Sequence, residues 1–259
     1  MNPSLRVQVG KLARRSIIRT IRQPVIILPN IMFPLFMLLI VGGGGEKVTD
    51  LEGFPTDSYV TFVLGAILVQ AAVGAATMAG NAIGSDIESG FLNRLAVTRV
   101  PASALIAAQL AGVAVIGLVQ AVLILLVALA AGASIETGVG GALAVIAVTL
   151  LVVLAFGSLG LVIAVRAGEA GRVQSLYSIS LALLFMSSMI MPRNLIEEAW
   201  FETIATYNPM SYLIEAPRSL LISGWDAEAL ALGCGFAAGA LVVALTVSAL
   251  SLRRKIVRA

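Results

Sequence analysis

Asp86-x-Glu88 is a spaced carboxylate pair able to hold Mg²⁺, the arrangement an integral-membrane enzyme acting on lipid headgroups would require. Little else in the chain is suited to catalysis. With no histidine, the commonest general base and metal ligand is missing. The single cysteine, Cys234, lies in Gly233-Cys-Gly235, where it reads as a packing residue. No G-x-S-x-G nucleophile elbow and no G-x-x-x-x-G-K-[ST] phosphate loop occurs. The carboxylate pair also has a purely structural reading. Ser85 and Glu88 form an S-x-x-E capping box, placing Asp86 and Glu88 at the positive end of a helix dipole with Arg94 and Arg99 toward its negative end.

The other polar groups of interest are uncharged. Gln70, Gly74, Thr77 and Asn81 recur at i, i+4, i+7 and i+11, giving one helix a polar or small stripe. Tyr177, Ser180, Ser187 and Ser188, beside Phe185, Met186, Met189 and Met191, do the same further on. Such faces serve either as helix-packing surfaces or as a pathway for an amphipathic substrate, to which flexible methionine is suited.

The elements that must position these residues follow from composition. Of 259 residues, 59% are hydrophobic and 12% charged, against about 25% charged in a soluble domain. With a mean hydropathy of +1.01, the chain is a membrane protein. Uncharged runs long enough to cross a hydrocarbon core of about 30 Å cover 24–41, 59–81, 104–131, 140–165, 173–191 and 229–250. The expected fold is therefore one all-α transmembrane domain over 1–259 with six spans. Pro24, Pro29 and Pro34 enter the first span and predict a kink where neighbours satisfy the freed carbonyls.

Charge sets the orientation. Segments 1–23, 82–103, 166–172 and 251–259 hold 14 of the 17 Lys and Arg, so the positive-inside rule makes both termini cytoplasmic. Residues 1–23 read as an amphipathic interfacial helix, with Leu5, Val9, Leu12, Ile17 and Ile21 on one face. Lys11, Arg14, Arg15, Arg19 and Arg22 lie largely on the other, facing anionic lipid. Ile87, Phe91 and Leu95 form an apolar stripe on a short cytoplasmic helix, 86–97, which Pro101 follows. That helix either lies on lipid or docks a cytoplasmic partner. The acidic, aromatic-rich segment 192–226 predicts short outer helices that dip into the membrane and return.

An ion-coupled carrier needs ionisable groups near the bilayer midplane, and the six runs contain none. Transport would have to be energised from elsewhere, by a separate ATPase acting on the cytoplasmic elements.

Two motifs then give a family resemblance. The stretch from Asp86-Ile-Glu88-Ser-Gly90-Phe91 through Arg94-Leu95 to Pro101 resembles the E-x-x-G-x-x-x-x-L-x-x-T-P segment of type-2 ATP-binding-cassette (ABC) exporter membrane subunits, nearest the daunorubicin-resistance-type permeases. Here Arg99-Val100 precedes the proline. The stretch Tyr207-Asn208-Pro209 to Glu215-Ala-Pro-Arg218 resembles that family's N-P segment ending in A-x-R before the last span, with Pro217 inserted.

The resemblance implies a half-transporter without catalytic residues or a cofactor of its own. Two copies of a cytoplasmic ABC ATPase would carry ATP and Mg²⁺, and a second permease, identical or a close paralogue, would pair through the first and fifth spans. Helix 86–97 becomes a coupling helix, with Glu88, Gly90 and Arg94 matching the motif best. Asn208, Pro209, Glu215 and Arg218 fall in outer re-entrant helices.

The expected function is export of a drug-like hydrophobic or amphipathic molecule or a lipid, with Gln70, Thr77, Asn81, Tyr177, Ser180, Phe185, Ser187 and Met191 as the candidate pathway. Polysaccharide, glycolipid or ion export in the same family, a lipid-headgroup enzyme at Asp86 and Glu88, and a non-catalytic immunity or assembly factor are the alternatives. No nucleic-acid partner is expected. With Lys only 3 of 17 basic residues and Ala, Val, Leu and Gly abundant, a high-GC bacterium and its plasma membrane are the expected setting.

Overall fold

A computed structural model describes residues 5–22, 24–89, 102–167 and 171–258. Among these the regular structure is entirely helical: α1 (Leu5–Ile21), α2 (Pro24–Gly44), α3 (Tyr59–Glu88), α4 (Ala102–Ala130), α5 (Gly138–Ala167), α6 (Val173–Phe185), α7 (Ala199–Tyr207), α8 (Pro209–Ile222) and α9 (Ala227–Arg258). Single 3-10 turns at Glu46–Val48 and Arg193–Leu195 complete it.

Five helices, α2, α3, α4, α5 and α9, are long and apolar enough to cross a membrane. The fifth expected span departs from prediction. Its helix, α6, has 13 residues and gives way after Phe185 to turns over 186–191. At about 1.5 Å per residue α6 is about 20 Å long, short of a hydrocarbon core. The second span is longer than expected, running past Asn81 to Glu88.

α3 organises the bundle. Nearly every side chain from Tyr59 to Gly80 is buried, whereas α2 and α9 leave Phe36, Ile40, Val242 and Val243 exposed to the surroundings. Lipid is as apolar as leucine, so helices here associate through close contact and not through the hydrophobic effect. The contact of α3 with α5 shows how. A Cβ placed on Gly160 would sit 2.0 Å from the carbonyl oxygen of Ala76, so the two backbones touch because Gly160 has no side chain.

α2 carries Pro29 and Pro34 inside the helix. Proline at 34 removes the donor that the carbonyl of Asn30 would otherwise receive. Gln120 of α4, 4% exposed, donates its amide to that carbonyl, which is how the neighbouring helix keeps the broken turn satisfied.

Candidate functional site

Three polar clusters are built on α3: one at its start, one part-way along and one at its end. The first and last are separated by the 24 residues from Phe62 to Asp86, about 36 Å of helix.

At the α3 start, α8 returns toward the bundle and buries Arg218, 4% exposed. Its Nε donates to the Phe62 carbonyl (3.0 Å), Nη1 to Glu215 Oε1 (3.0 Å), and Nη2 to the carbonyls of Ser188 (2.8 Å) and Met189 (3.3 Å). The guanidinium lies 3.8 Å from the Phe62 ring centroid. Burial draws its pKa below the ordinary arginine value, and the adjacent Glu215 carboxylate opposes that. Glu215 Oε1 also accepts from the Ser188 hydroxyl (2.7 Å).

Asn208 completes this cluster. Its Oδ1 accepts from Met210 N (2.9 Å) and caps α8, with Pro209 in the first helical position where no donor is needed. Its Nδ2 donates to the carbonyls of Leu183 (2.6 Å) and Met186 (3.0 Å), two acceptors at the end of α6. Asn208 and Arg218 thus bracket α8 and together hold the non-helical turn 186–191. Ser187 sits in this turn with its hydroxyl on the Leu184 carbonyl, and Met191 is half-buried at the turn's far end.

Part-way along α3, a cavity of about 300 Å³ opens between α2, α3 and α6, lined by Asn30 and Phe33, Gln70 and Thr77, and Gln174 and Tyr177 among others. Among the described residues no charged side chain lines it. Gln70 is 2% exposed, and neither its Nε2 nor its Oε1 has a hydrogen-bond partner among the described residues. A buried primary amide with both ends unmade costs roughly 1–3 kcal/mol for each unsatisfied group. Gly74, one turn from Gln70, lets Asn30 approach: a Cβ there would lie 2.5 Å from Asn30 Oδ1. Thr77 returns its hydroxyl to the Gly74 carbonyl (2.7 Å).

The expected pathway residues therefore divide. Gln70, Thr77 and Tyr177 meet in one cavity; Ser187 belongs to the turn held by Asn208 and Arg218, and Asn81, Ser180, Phe185 and Met191 do not line the cavity. Phe185 is 48% exposed on the outside of α6.

At the α3 end, the helix start expected at Ser85 is instead a helix end. α3 continues through Glu88 and stops at Ser89, whose N–H donates to the Ser85 carbonyl (3.0 Å). Asp86 thus lies in the last turn, where the helix dipole disfavours a carboxylate. Basic side chains compensate. Arg19 Nη1 (2.6 Å) and Arg15 Nη2 (3.3 Å) donate to Oδ1, and Gln109 Nε2 (2.9 Å) to Oδ2. Arg19 Nη2 also reaches Ser85 Oγ (2.9 Å), and the Ser16 hydroxyl donates to Gln109 Oε1 (3.2 Å).

Two of the cations expected on lipid are therefore turned onto Asp86, fastening α1 to α3 and α4. Asp86 is 1% exposed with both oxygens engaged, while Glu88 is exposed, so the pair does not form the shared cation site considered from its spacing. Gly90, Phe91, Arg94 and Leu95, with the rest of the expected helix to residue 97, lie outside the described residues.

A family model described as ABC-2 type transporter matches residues 7–222, from inside α1 to the end of α8. The chain belongs to the ABC-2 type transporter family. A "Putative transport permease ycf38" of Pyropia yezoensis is 26% identical over 228 residues, covering 86% of this chain and 77% of that one. Membership makes the chain a multi-pass membrane transport protein of the permease kind, whose family works with an ATPase subunit. The ABC-2 match spans all three clusters.

Sequence reasoning grouped Glu215 with Arg218, and Thr77 and Tyr177 with Gln70, but missed other neighbours in each cluster. Ser188, Gln109 and Gln174 carry no spacing signal relative to Arg218, Asp86 and Gln70. Gln120 could have been sought once Pro34 was known to free a carbonyl.

Proposed function

We propose that this chain is the membrane half of an ATP-driven exporter, moving an uncharged or weakly polar amphipathic molecule or lipid outward while a separate ATPase supplies the energy. The observation that carries the reading is the Gln70 cavity. A cavity with no charged side chain among its described lining, bordered by a buried amide that has no partner among the described residues, suits a ligand that is mostly apolar and offers one neutral polar group. The same lining argues against a bare ion, and so few aromatic residues argue against a broad sugar channel.

In this reading the segment beginning at Asp86 and running to residue 97 couples to two ATPase copies. A second permease, identical or paralogous, pairs along α2 and α6, which present Phe33, Phe36, Ile179 and Phe185. α7 and α8 form the outer closure, both termini are cytoplasmic, α6 with its following turn serves as the shortened sixth crossing, and the membrane is a bacterial plasma membrane. The enzyme alternative is weakened because Asp86 is neutralised by Arg15 and Arg19.

The test is co-purification of the tagged chain from its native membrane in mild detergent, with ATP hydrolysis and accumulation of a fluorescent amphiphile measured for wild type and Gln70→Leu. A co-purifying ATPase is expected. Gln70→Leu should leave the complex intact while changing uptake or amphiphile-stimulated hydrolysis several-fold. A complex with no ATPase under conditions that retain oligomers overturns the exporter. A Gln70→Leu protein with unchanged transport across a panel of amphiphiles overturns the assignment of the cavity.

A further inference from the structure

At the α8 end of the bundle a second, larger cavity of about 440 Å³ lies between the 192–194 turn, α8 and the first turns of α9, with Phe62 of α3 behind it. Two arginines line it, and they differ in one respect. Arg218 is fully engaged with Glu215 and three carbonyls. Arg193 forms no ion pair with any described residue, and its buried Nε has no hydrogen-bond partner. Its guanidinium rests over the Tyr212 ring, 5.4 Å from the centroid. A half-buried guanidinium with no ion pair to a described residue is one that an anion stabilises.

The far wall has the opposite sign. Asp226 and Glu228, both exposed, stand at the start of α9, where Asp226 Oδ1 caps the helix through Glu228 N (2.9 Å) and Ala229 N (3.1 Å). One turn on, Leu232 lines the same cavity while remaining 48% exposed, and Trp225 beside Asp226 is 64% exposed. The cavity therefore opens onto apolar helix surface at the depth where tryptophan favours the membrane boundary.

We infer that this cavity binds the headgroup of a zwitterionic phospholipid of the ethanolamine type. Its phosphate lies against Arg193, its ammonium toward Asp226 and Glu228, and an acyl chain runs along Ile222 and Leu232. A purely anionic lipid would satisfy Arg193 and meet repulsion from the two carboxylates. A choline headgroup would fit the charges, but its methyl groups cannot donate to them. The inference is independent of cargo, of the direction of transport, and of which membrane face this end occupies.

The test uses the full-length chain, purified and delipidated in detergent, with lipid retention by native mass spectrometry and the thermal midpoint as readouts. Probes are dioleoyl-phosphatidylethanolamine, dioleoyl-phosphatidylglycerol and water-soluble phosphoethanolamine. The ethanolamine lipid should bind wild type roughly tenfold tighter than the glycerol lipid, and Arg193→Gln should weaken both roughly tenfold, the loss expected for one charge-assisted hydrogen-bonded contact. Asp226→Asn, which still caps α9, should bring the two lipids close to equal affinity, a change of preference that simple destabilisation does not produce. Unaltered lipid binding by Arg193→Gln overturns the site. A preference that survives Asp226→Asn overturns the ammonium contact, and phosphoethanolamine binding as tightly as the lipid overturns the lipid assignment in favour of a soluble phosphate ligand.

Discussion

Asn208 does two jobs with the two ends of one amide. Its oxygen starts α8 and its nitrogen closes the end of α6, so the residue demands both an acceptor and a donor. Aspartate is as good an N-cap as asparagine but has no N–H to give. We predict that Asn208→Ala costs about 3–5 kcal/mol, from a lost cap of about 1 and two carbonyls left unmade at about 1–2 each. Asn208→Asp should be at least as damaging, because its carboxylate would face the Leu183 and Met186 carbonyls. Thermal unfolding of the two variants in detergent decides this; an Asn208→Asp protein as stable as wild type would show that only the cap matters. Arg218 makes a parallel point. Four acceptors and an aromatic face surround one planar guanidinium, and lysine, a point charge with three donors, cannot match that geometry.

Between elements, the Asp86 cluster is what ties α1 to the rest of the bundle. α1 is an amphipathic helix that could lie anywhere on a membrane surface, and it is fastened by side chains from one face to the last turn of α3 and the early part of α4. Because α3 leads into the segment proposed to couple to the ATPase, movement of that segment would act on the helix end that holds Asp86. A double-mutant cycle of Arg19→Gln and Asp86→Asn should return a coupling of about 1–3 kcal/mol in thermal stability, as expected for contacting members of one network. Arg15→Gln should matter less, since its contact is longer and its side chain is 43% exposed. Additive effects of the Arg19 and Asp86 changes would mean that the pair does not hold α1. If the cluster also transmits the ATPase stroke, the same variants should lower amphiphile transport more than ATP hydrolysis.

For the whole molecule, the number of crossings made by five long apolar helices and one short one decides where the two ends lie. Six crossings place both termini on one side; five would separate them. With Cys234 replaced by Ala, single cysteines introduced at Asn2, Trp200 and Ala259 report the sidedness to a membrane-impermeant maleimide in intact cells. We predict labelling at position 200 only, with positions 2 and 259 labelled after permeabilisation. Labelling of position 2 or 259, but not both, in intact cells would show that α6 and its turn do not complete a crossing.

The amino-acid sequence alone determined the class of the protein. Long uncharged runs leave a chain little choice but to enter a bilayer as helices, since no other open structure satisfies its backbone there. Local chemistry was legible too: the prolines of α2 and the Asn208-Pro209 helix start are read from the residues themselves. Only the tertiary structure decided what each polar group meets. Ser85-x-x-Glu88 has the pattern of a helix start, yet it ends α3, because burial against α4 and the arginines of α1 outweighs a local capping preference. α6 stops at Phe185 although its sequence stays apolar beyond it, because Asn208 and Arg218, more than 20 residues on, capture the carbonyls of the following turn. Gln70, one member of a polar stripe in the sequence, is singled out only in three dimensions, where the absence of a partner for its amide depends on what α2 and α6 place beside it.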